Sequence, residues 1–565
     1  MQRVLVRGLR ALSAAACVGA LAPAVAGAAI LTVDTTDETS ATNCTLGEAI
    51  TSANGNADAG CAGAGPYGDD TINITATGTL SLTGTLTPIT SKIDINGPGA
   101  GQLDIHRQSG GDYRVLSVNG GGDAEISGVT ISNGRLTTLG AAGAGIQNAG
   151  FLVLEDSVVR DSQVSVADDV GNPSAGGGGI FNSGSLTIRR TTITNNSISS
   201  YQFAPSGTPS SEATGAGIYN NGNLLVERST IHNNNVFAQL ASNDPGATAT
   251  AGGGGMVNYG PNATVHASTI SENHTNAAAP GPPSTASLTT RGGGIYNLGT
   301  ITLASDTIAF NTADSSTSLS AHGSASLSAQ GTETVTNTIL WGGASPNCDG
   351  SVNTNGGFNL DAGASTCTGL ESALHSDPLL GGLADNGGPT RTHGLSPASP
   401  AIDAGSSGGD TTDQRAKTRP IDVAGAPNAD DGADIGALEA QDSDGDGRID
   451  EGDGCPAIPG TPEGGGCPIS EGSVTIKYSK RKKRFKGAVA TPGFACSGGR
   501  GVDLYLKQQG DDKLVRQTIT DPDSTWAIDK RGRPGKRYYA RISDAFRPNE
   551  AACEEAVSRT IQIPR

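Results

Sequence analysis

A short glycine-rich unit recurs through the middle of the chain and restricts the possible folds more than any other feature. Its clearest copy reads Gly-Gly-Gly-Gly-Ile-Phe-Asn, and its last residue forms a column over five copies, Asn148, Asn182, Asn220, Asn258 and Asn297. These asparagines are 34, 38, 38 and 39 residues apart. A near-constant period of this length is typical of solenoids. No 3.6-residue period accompanies it, and glycine runs break helices, so a helical repeat is excluded.

Apolar and polar residues alternate inside each copy. Alternation with a period of two predicts strands with one face turned inward. Copies in register predict that each strand stacks on its equivalent, about 4.8 Å away, in a parallel ladder. The predicted fold is therefore all-β, with a right-handed parallel β-helix solenoid as its largest part. Three inward columns support it: Leu152, Leu186, Leu224, Ala263 and Ile301; Leu154, Ile188, Val226, Val265 and Leu303; Val159, Ile193, Ile231, Ile270 and Ile308.

A second asparagine column follows the last strand of each copy and consists of Asn196, Asn234, Asn273 and Asn311. Because asparagine tolerates left-handed backbone and can bond its equivalents above and below, we expect an asparagine ladder at a turn. The remaining 15 to 20 residues of each unit, such as 197–214 and 276–291, are rich in Ala, Ser, Thr and Pro. We expect these segments to emerge along one corner as a row of loops.

Two outward columns carry the charges of the repeat: Glu155, Arg189, Glu227, His266 and Ala304, and beside them Asp156, Arg190, Arg228, Ala267 and Ser305. Opposite charges one coil apart are expected to pair across the ladder. β-Helix enzymes need clustered carboxylates with Arg, Lys or His on one face. The pattern favours a stripe of salt bridges over such a cluster, so no catalytic residue is predicted. An active site built from the loops stays open as an alternative.

The chain divides into six segments. Residues 1–28 place Arg3, Arg7 and Arg10 before an apolar stretch and a small-residue cleavage site, which is typical of a secretory signal. We then expect an N-terminal cap at 29–69, the β-helix at 70–375, a closing region at 376–440, a linker at 441–470 and a small immunoglobulin-like β-sandwich at 471–565. No segment after the signal is apolar enough to be a membrane helix.

Charge separates the last segment from the rest. Residues 473–565 hold 20 Lys/Arg and 10 Asp/Glu, whereas residues 29–472 hold 14 Lys/Arg and 45 Asp/Glu. The two parts should therefore meet different partners. Residues 480–484 form a basic cluster near a predicted turn. A solvated hairpin tip is the ordinary interpretation, and binding of an anionic wall polymer or nucleic acid is the alternative. Nucleic acid is not the partner we expect.

Eight cysteines remain after Cys17 of the signal, and an even number in an exported chain suits disulfides. None has the Cys-x-x-Cys spacing of a zinc site. Pairing of nearest neighbours is one of 105 possible connectivities. It would join Cys44 to Cys61, Cys348 to Cys367, Cys455 to Cys467 and Cys496 to Cys553.

Both ends of the solenoid resemble known families. The run from Asn43 to Ile50, Asn-Cys-Thr-Leu-Gly-Glu-Ala-Ile, resembles the CSLREA motif region of bacterial β-helix proteins and departs from it at Gly47, where the motif has Arg. Downstream, four motifs are similar to a choice-of-anchor domain, which often closes such solenoids: residues 385–390, 399–405, 413–415 and 434–439. These resemblances imply an exported or surface-associated bacterial protein without a defined biochemical activity.

The motif with the most specific chemistry lies in the linker, where oxygen ligands fall at positions 1, 3, 5, 9 and 12 of a twelve-residue loop. The side chains are Asp442, Asp444, Asp446, Asp450 and Asp453. Gly447 stands at position 6, and the carbonyl of Arg448 at position 7 would complete the set. This is the ligand order of a calcium loop. With Cys455 and a proline directly after it, the segment looks like a thrombospondin type 3 repeat and predicts a calcium-stiffened linker.

Together these patterns predict a secreted or cell-surface bacterial protein, stabilised by calcium, that is non-catalytic and binds an extracellular glycan, matrix or surface polymer. Two alternatives stay open. One is a polysaccharide lyase or glycoside hydrolase with a loop-built site, and the other is a purely structural spacer. The sequence leaves the oligomeric state open.

Overall fold

The computed structural model describes residues 28–565 except 170–171, 205–207, 243, 281–284, 316–325, 343–345, 364–366 and 492–495. The predicted signal at 1–28 and its Cys17 thus lie outside the described residues, apart from residue 28. The described chain is nearly all strand, and it forms a right-handed parallel β-helix followed by a small β-sandwich. The predicted fold class is confirmed.

Three parallel sheets run the length of the solenoid. Sheet 1 has eleven strands, Ile30–Val33, Asp70–Ile74, Lys92–Asn96, Asp123–Ser127, Phe151–Glu155, Ser185–Arg189, Asn223–Glu227, Asn262–His266, Thr300–Ala304, Thr332–Thr336 and Thr354–Gly357. Sheet 2 has ten, Gly78–Leu82, Leu103–Arg107, Thr130–Ser132, Val158–Arg160, Thr192–Thr194, Thr230–His232, Thr269–Ser271, Thr307–Ala309, Ile339–Trp341 and Leu360–Ala362. Sheet 3 has eight, Leu116–Val118, Ile146–Asn148, Ile180–Asn182, Ile218–Asn220, Met256–Asn258, Ile295–Asn297, Leu327–Ala329 and Cys348–Gly350.

The predicted aliphatic columns fill the interior between these sheets. Leu186 pairs in register with Leu224, and Ile193 pairs with Ile231. All members of the three columns belong to one continuous buried cluster. Because every coil contributes the same apolar positions, each coil packs on the next in the same way and extends one core.

The second asparagine column forms the expected ladder inside the solenoid. Asn196 Nδ2 donates to Asn234 Oδ1 at 3.0 Å, and Asn234 Nδ2 donates to Asn273 Oδ1 at 2.9 Å. The ladder asparagines do not themselves adopt left-handed backbone. The positive φ belongs to the residue before each of them, for example Asn195 at 57° and Asn233 at 55°. The turn therefore leaves the ladder side chain free to point inward.

The segments expected to emerge as loops are strands instead. They form a sheet of six strands, Arg135–Leu136, Gln163–Asp168, Ser197–Gln202, Asn235–Leu240, His274–Ala278 and Thr312–Ser315. Beside it lies a sheet of four strands, Ser174–Gly176, Ser210–Thr214, Thr248–Gly252 and Ser287–Arg291. We call this pair of sheets the wing. They share a second, alanine-rich core that includes Val236, Ala238 and Ala249. The prediction failed because small side chains give a weak apolar signal, whereas stacking on the neighbouring coil supplies the backbone hydrogen bonds.

Segments of the same chain cover both ends of the solenoid. The first strand of sheet 1, Ile30–Val33, lies in the predicted N-terminal cap and pairs with Asp70–Ile74 as the first rung. The helix Leu46–Gly55 packs beside it, and its N-terminus is fixed by a capping box between Thr45 and Glu48. At the other end, isolated bridges join residues 351 to 368 and 360 to 374, so residues 367–374 form the last rung.

The closing region, residues 376–440, lies along the side of the solenoid against sheet 2. It contains one antiparallel pair of strands, Leu380–Ala384 and Thr392–Leu395. Gln414 is fully buried there: its Oε1 accepts from Thr269 Oγ1 at 2.7 Å, and its Nε2 donates to Thr230 Oγ1 at 3.0 Å. One side chain thus joins the closing region to two successive coils.

After the linker, the tail folds into facing antiparallel sheets. One has the strands Ser473–Val474, Lys477–Ser479, Arg484–Ala490 and Thr525–Asp529. The other has Gly501–Leu506, Lys513–Ile519, Arg537–Ile542, Ala556–Val557 and Ile561–Gln562. A third small sheet contains Ile469–Ser470, Ala545–Arg547 and Ala551–Cys553. The two main sheets enclose a core that includes Phe485, Leu504 and Trp526.

Four disulfides join the cysteines in nearest-neighbour pairs: Cys44–Cys61, Cys348–Cys367, Cys455–Cys467 and Cys496–Cys553. Disulfides of this number are typical of proteins in an oxidising compartment. Among the described residues, no helix has the length and hydropathy needed to cross a membrane.

Candidate calcium loop and solenoid surfaces

The acidic loop of the linker brings three carboxylates together. One oxygen each of Asp442, Asp444 and Asp446 lies within 4.8 Å of the other two. Gly447 has a φ of +87° there, as a left-handed position in a tight loop requires. Backbone amides hold the carboxylates in place, since Asp442 accepts from the amide of Gly447 at 2.9 Å and Asp444 accepts from that of Asp446 at 3.1 Å.

Two carboxylate oxygens in the loop lack a hydrogen-bond donor although they are shielded from water. These atoms are Asp444 Oδ2 and Asp453 Oδ2. Burial raises the pKa of Asp444, and the neighbouring carboxylates of Asp446, Asp453 and Asp442 raise it further. Crowded carboxylates with unsatisfied oxygens are the donor set that calcium, a hard cation, prefers. The residues present therefore fit a calcium ion.

The last two predicted ligands lie outside the group of three. Both oxygens of Asp450 accept from Ser443, one from the amide at 2.9 Å and one from the hydroxyl at 2.8 Å. Asp453 Oδ1 accepts from the amide of Cys455 at 2.6 Å. Asp450 also begins the short 3-10 helix Asp450–Gly452. The role of Ser443 as the partner of Asp450 was not visible in the sequence, because serine at this position is not part of the ligand pattern.

The loop is fastened on two sides. Ile449 is buried in the apolar cluster between the closing region and the last coils, together with Ile402 and Val423. On the other side, the carbonyl of Gly454 accepts from the amide of Asn549 of the tail at 2.7 Å. The loop therefore stands at the junction of solenoid, closing region and tail.

The outward charges of sheet 1 pair across the ladder in part, whereas His266 pairs with Asp410 of the closing region at 2.8 Å. Arg189 Nε lies 3.1 Å from a carboxylate oxygen of Glu227, one coil away. Arg190 reaches back by one coil to Glu155 at 2.6 Å and Asp156 at 2.8 Å. Each arginine thus pairs with the carboxylates nearest to it, and these pairs form a stripe that joins neighbouring coils.

An aromatic column follows sheet 3. The rings of Phe181 and Tyr219 stack with centroids 5.3 Å apart, and those of Tyr219 and Tyr259 stack at the same distance. Val257 occupies the equivalent register position in its coil, so Tyr259, two residues later, supplies the missing ring. The rings cover one another's inner faces, which supports turn packing, while Tyr259 at the end of the column stays 36% exposed.

The closing region contains a buried ionic cluster with more carboxylates than guanidinium groups. Arg419 lies 3.4 Å from Glu439, and Asp434 and Glu439 are both fully buried. Burial raises the pKa of Asp434 well above its usual value, and repulsion by Glu439 raises it further. Asp434 also binds backbone, since it accepts from the amide of Asp403 at 2.9 Å. The cluster is buried, and its ion pairs and hydrogen bonds fasten the segments of the closing region together.

A cleft of about 730 Å³ separates the closing region from the acidic loop. Most of its lining is apolar or proline, as at Pro397, Pro400 and Ile402. The charged residues in the lining are Asp446 and Arg448, both from the loop itself. Among the described residues that line it, the cleft thus has one carboxylate, whereas acid–base cleavage of a glycosidic bond uses two.

Comparison with known proteins gives no relative for this chain. No protein-family model, curated protein or solved structure matches it.

Proposed function

We propose that the protein is a secreted or cell-surface binding protein without catalytic activity, in which a rigid β-helix carries a calcium-stiffened junction and a basic tail. The CSLREA-like and choice-of-anchor-like motifs support a bacterial surface role by resemblance. The four disulfides support an extracellular setting. The observation that carries the proposal is the stripe of ion pairs on sheet 1, where Arg189 and Arg190 pair with carboxylates from coil to coil.

Calcium would be held by Asp442, Asp444 and Asp446, with the Arg448 carbonyl, Asp450 and Asp453 completing a loop similar to a thrombospondin type 3 repeat. Asp450 would have to exchange its bonds to Ser443 for the ion. The bound ion would compensate the unsatisfied oxygens of Asp444 and Asp453. Because the loop touches both the closing region and the tail, its occupancy would fix the angle between them.

The test is incubation of the full chain with acidic and neutral polysaccharides in millimolar calcium, measuring retention and new chain ends in the same samples. We expect reversible binding of at least one polysaccharide and no new reducing or unsaturated ends. Multiple turnover of any polysaccharide would contradict the proposal. Absence of binding to all of them would leave the chain a structural spacer.

One cluster favours the enzymatic alternative. Near the N-terminal end of sheet 2, Arg160 contacts both Asp104, at 2.6 Å, and Asp161, while His106 lies 2.8 Å from the hydroxyl of Ser132. Two carboxylates, an arginine and a histidine on one face are the residue types of a polysaccharide-cleaving site. If turnover is found, Asp104→Asn is expected to abolish it, whereas the same change at the exposed Asp123 is not.

A further inference from the structure

Three separate segments of the tail meet on one surface, which we call the basic face: residues 477–486, 530–537 and 561–565. The amide of Lys530 donates to the carbonyl of Lys483 at 3.1 Å and joins the second segment to the hairpin tip. The amide of Gly535 donates to the carbonyl of Ile563 at 2.8 Å and joins it to the C-terminal end. The surface is therefore built by the fold, and the cluster at 480–484 is only one part of it.

The basic face holds 13 of the 20 Lys/Arg residues of the tail and no acidic side chain. Twelve of the thirteen are exposed, and Arg484 is half-buried. Among the described residues, the ion pair between Arg484 and Asp529 is the one that involves this set. The members are Lys477, Lys480, Arg481, Lys482, Lys483, Arg484, Lys486, Lys530, Arg531, Arg533, Lys536, Arg537 and Arg565. Such a density of exposed, uncompensated charge attracts polyanions.

The rest of the protein directs a polyanion to this surface. Residues 29–472 carry 14 basic and 45 acidic side chains, which repel it along the solenoid. Attraction at one end and repulsion over the remaining length orient an approaching chain toward the tail.

The chemistry of the basic face selects one kind of polyanion. Proteins that bind single-stranded nucleic acid combine charge with exposed aromatic rings on which bases stack. Here Phe485 is fully buried and packs against Tyr538 at 4.8 Å, so its ring belongs to the core. Binding to a membrane surface adds apolar side chains that enter the lipid. Within the three segments, no large hydrophobic side chain is exposed in the part of the chain that the structure describes.

We propose that the basic face binds an acidic polysaccharide through its carboxylate or sulfate groups. This goes beyond the proposed function, because it assigns the partner class and the surface that recognises it. Lysine and arginine on three neighbouring segments can follow a linear chain of repeated charges without reading its sequence. The interaction is expected to be electrostatic and to weaken steeply with salt.

The test measures binding of the full chain to polygalacturonate over a range of salt concentrations, in EGTA so that the calcium loop does not contribute. The variant Lys482→Ala/Arg531→Ala removes one Lys and one Arg from the basic face. Its matched control, Lys513→Ala/Arg516→Ala, removes the same charges from an exposed strand outside that face. By analogy with counterion release from nucleic acids, the first pair should weaken binding about tenfold and reduce the slope of log K against log salt by about 1.5. The control pair should change both by much less.

A charge-preserving variant, Lys482→Arg/Arg531→Lys, should bind as the wild type does. Its unchanged binding would show that the alanine pair loses affinity through charge and not through misfolding. Equal loss in the two alanine pairs would overturn the proposal, because net charge alone would then explain binding. Tighter binding of an oligothymidine or of phosphatidylglycerol vesicles than of polygalacturonate would also overturn it. Since EGTA is present throughout, failure here does not bear on the calcium loop.

Discussion

Buried asparagine side chains join neighbouring coils because one amide group both donates and accepts hydrogen bonds. Asn234 Oδ1 accepts from both the backbone amide and the side chain of Asn196, each at 3.0 Å. Its Nδ2 donates to the Ile193 carbonyl at 3.1 Å as well as to Asn273. One side chain therefore satisfies buried groups in three successive coils.

Asn234→Ala is expected to lower the free energy of unfolding by about 3 kcal/mol or more, because several buried donors and acceptors lose their partner at once. Urea denaturation followed by circular dichroism measures it. Asn223→Ala is the matched control: Asn223 is exposed and makes longer side-chain bonds, 3.5 Å to Ser185 and 3.2 Å from Asn262. A change of the same size in both variants would contradict the role assigned to the ladder.

Asp306 interrupts a column of hydroxyl residues. In successive coils the amide of Thr191 donates to Ser229 Oγ, that of Ser229 to Ser268 Oγ, and that of Ser268 to Asp306 Oδ1 at 2.9 Å. Asp306 is fully buried, and this burial raises its pKa to about 7. A carboxyl with a raised pKa favours the folded state when protonated, and its ionisation above that pKa destabilises the fold.

The pH dependence follows from this sign. Between the ordinary aspartate pKa near 4 and the raised value near 7, the folded state binds more protons than the unfolded state. The contribution of Asp306 to the stability of the wild type should therefore fall as pH rises through this window, by at most about 4 kcal/mol. Asp306→Ser keeps an acceptor for the Ser268 amide and should remove this loss, which thermal unfolding at pH 4.5 and pH 8 would measure. Asp123→Ser, at an exposed position, is the control and should keep the pH dependence of the wild type. The same change of stability with pH in both variants would contradict the role given to Asp306.

At the scale of the elements, the approach of one coil to the next depends on a glycine column that differs from the one first noticed in the repeat. It consists of Gly150, Gly184, Gly222, Gly260, Gly299 and Gly331. A Cβ atom on Gly222 would lie 1.9 Å from the carbonyl oxygen of Gly184, and backbone cannot give way as a flexible side chain can. The column therefore sets how closely the turns of adjacent coils stack.

Gly222→Ala is expected to destabilise the solenoid by about 3 kcal/mol, the upper end of ordinary overpacking costs, because two coils must separate locally. The control is Gly84→Ala, where a new Cβ would meet nothing within 4 Å. Denaturation midpoints of the two variants give the comparison. A stable Gly222→Ala protein with an unchanged midpoint would show that the coils are not in tight contact there.

The strands of the main core could be predicted from sequence because aliphatic residues such as Ile193 and Ile231 repeat with both a local and a coil-length period. The wing could not, since the alternation in residues 197–202 rests on serine as much as on isoleucine. The lateral position of the closing region also escaped prediction. It depends on contacts such as that of Gln414 with Thr230, 184 residues apart, which no local pattern reports.

At the scale of the whole molecule, the net charge changes sign from the solenoid to the tail. A long solenoid with a large excess of acidic side chains leads to a compact basic sandwich, and the acidic loop 442–453 stands between them. The three carboxylates brought together at Asp442, Asp444 and Asp446 were predictable from their spacing. The bonds of Asp450 to Ser443 were not, because the pattern assumes a bound ion.

The most direct test of the account is a calcium titration of the full chain by isothermal calorimetry. We expect one ion per chain with a Kd of about 0.1–1 mM, the range of extracellular calcium modules. Asp444→Asn should abolish this binding, and Asp430→Asn, an exposed acid of the closing region, should leave it intact. No calcium binding by the wild type, or equal binding by the Asp444→Asn variant, would contradict a calcium-stiffened junction at this loop.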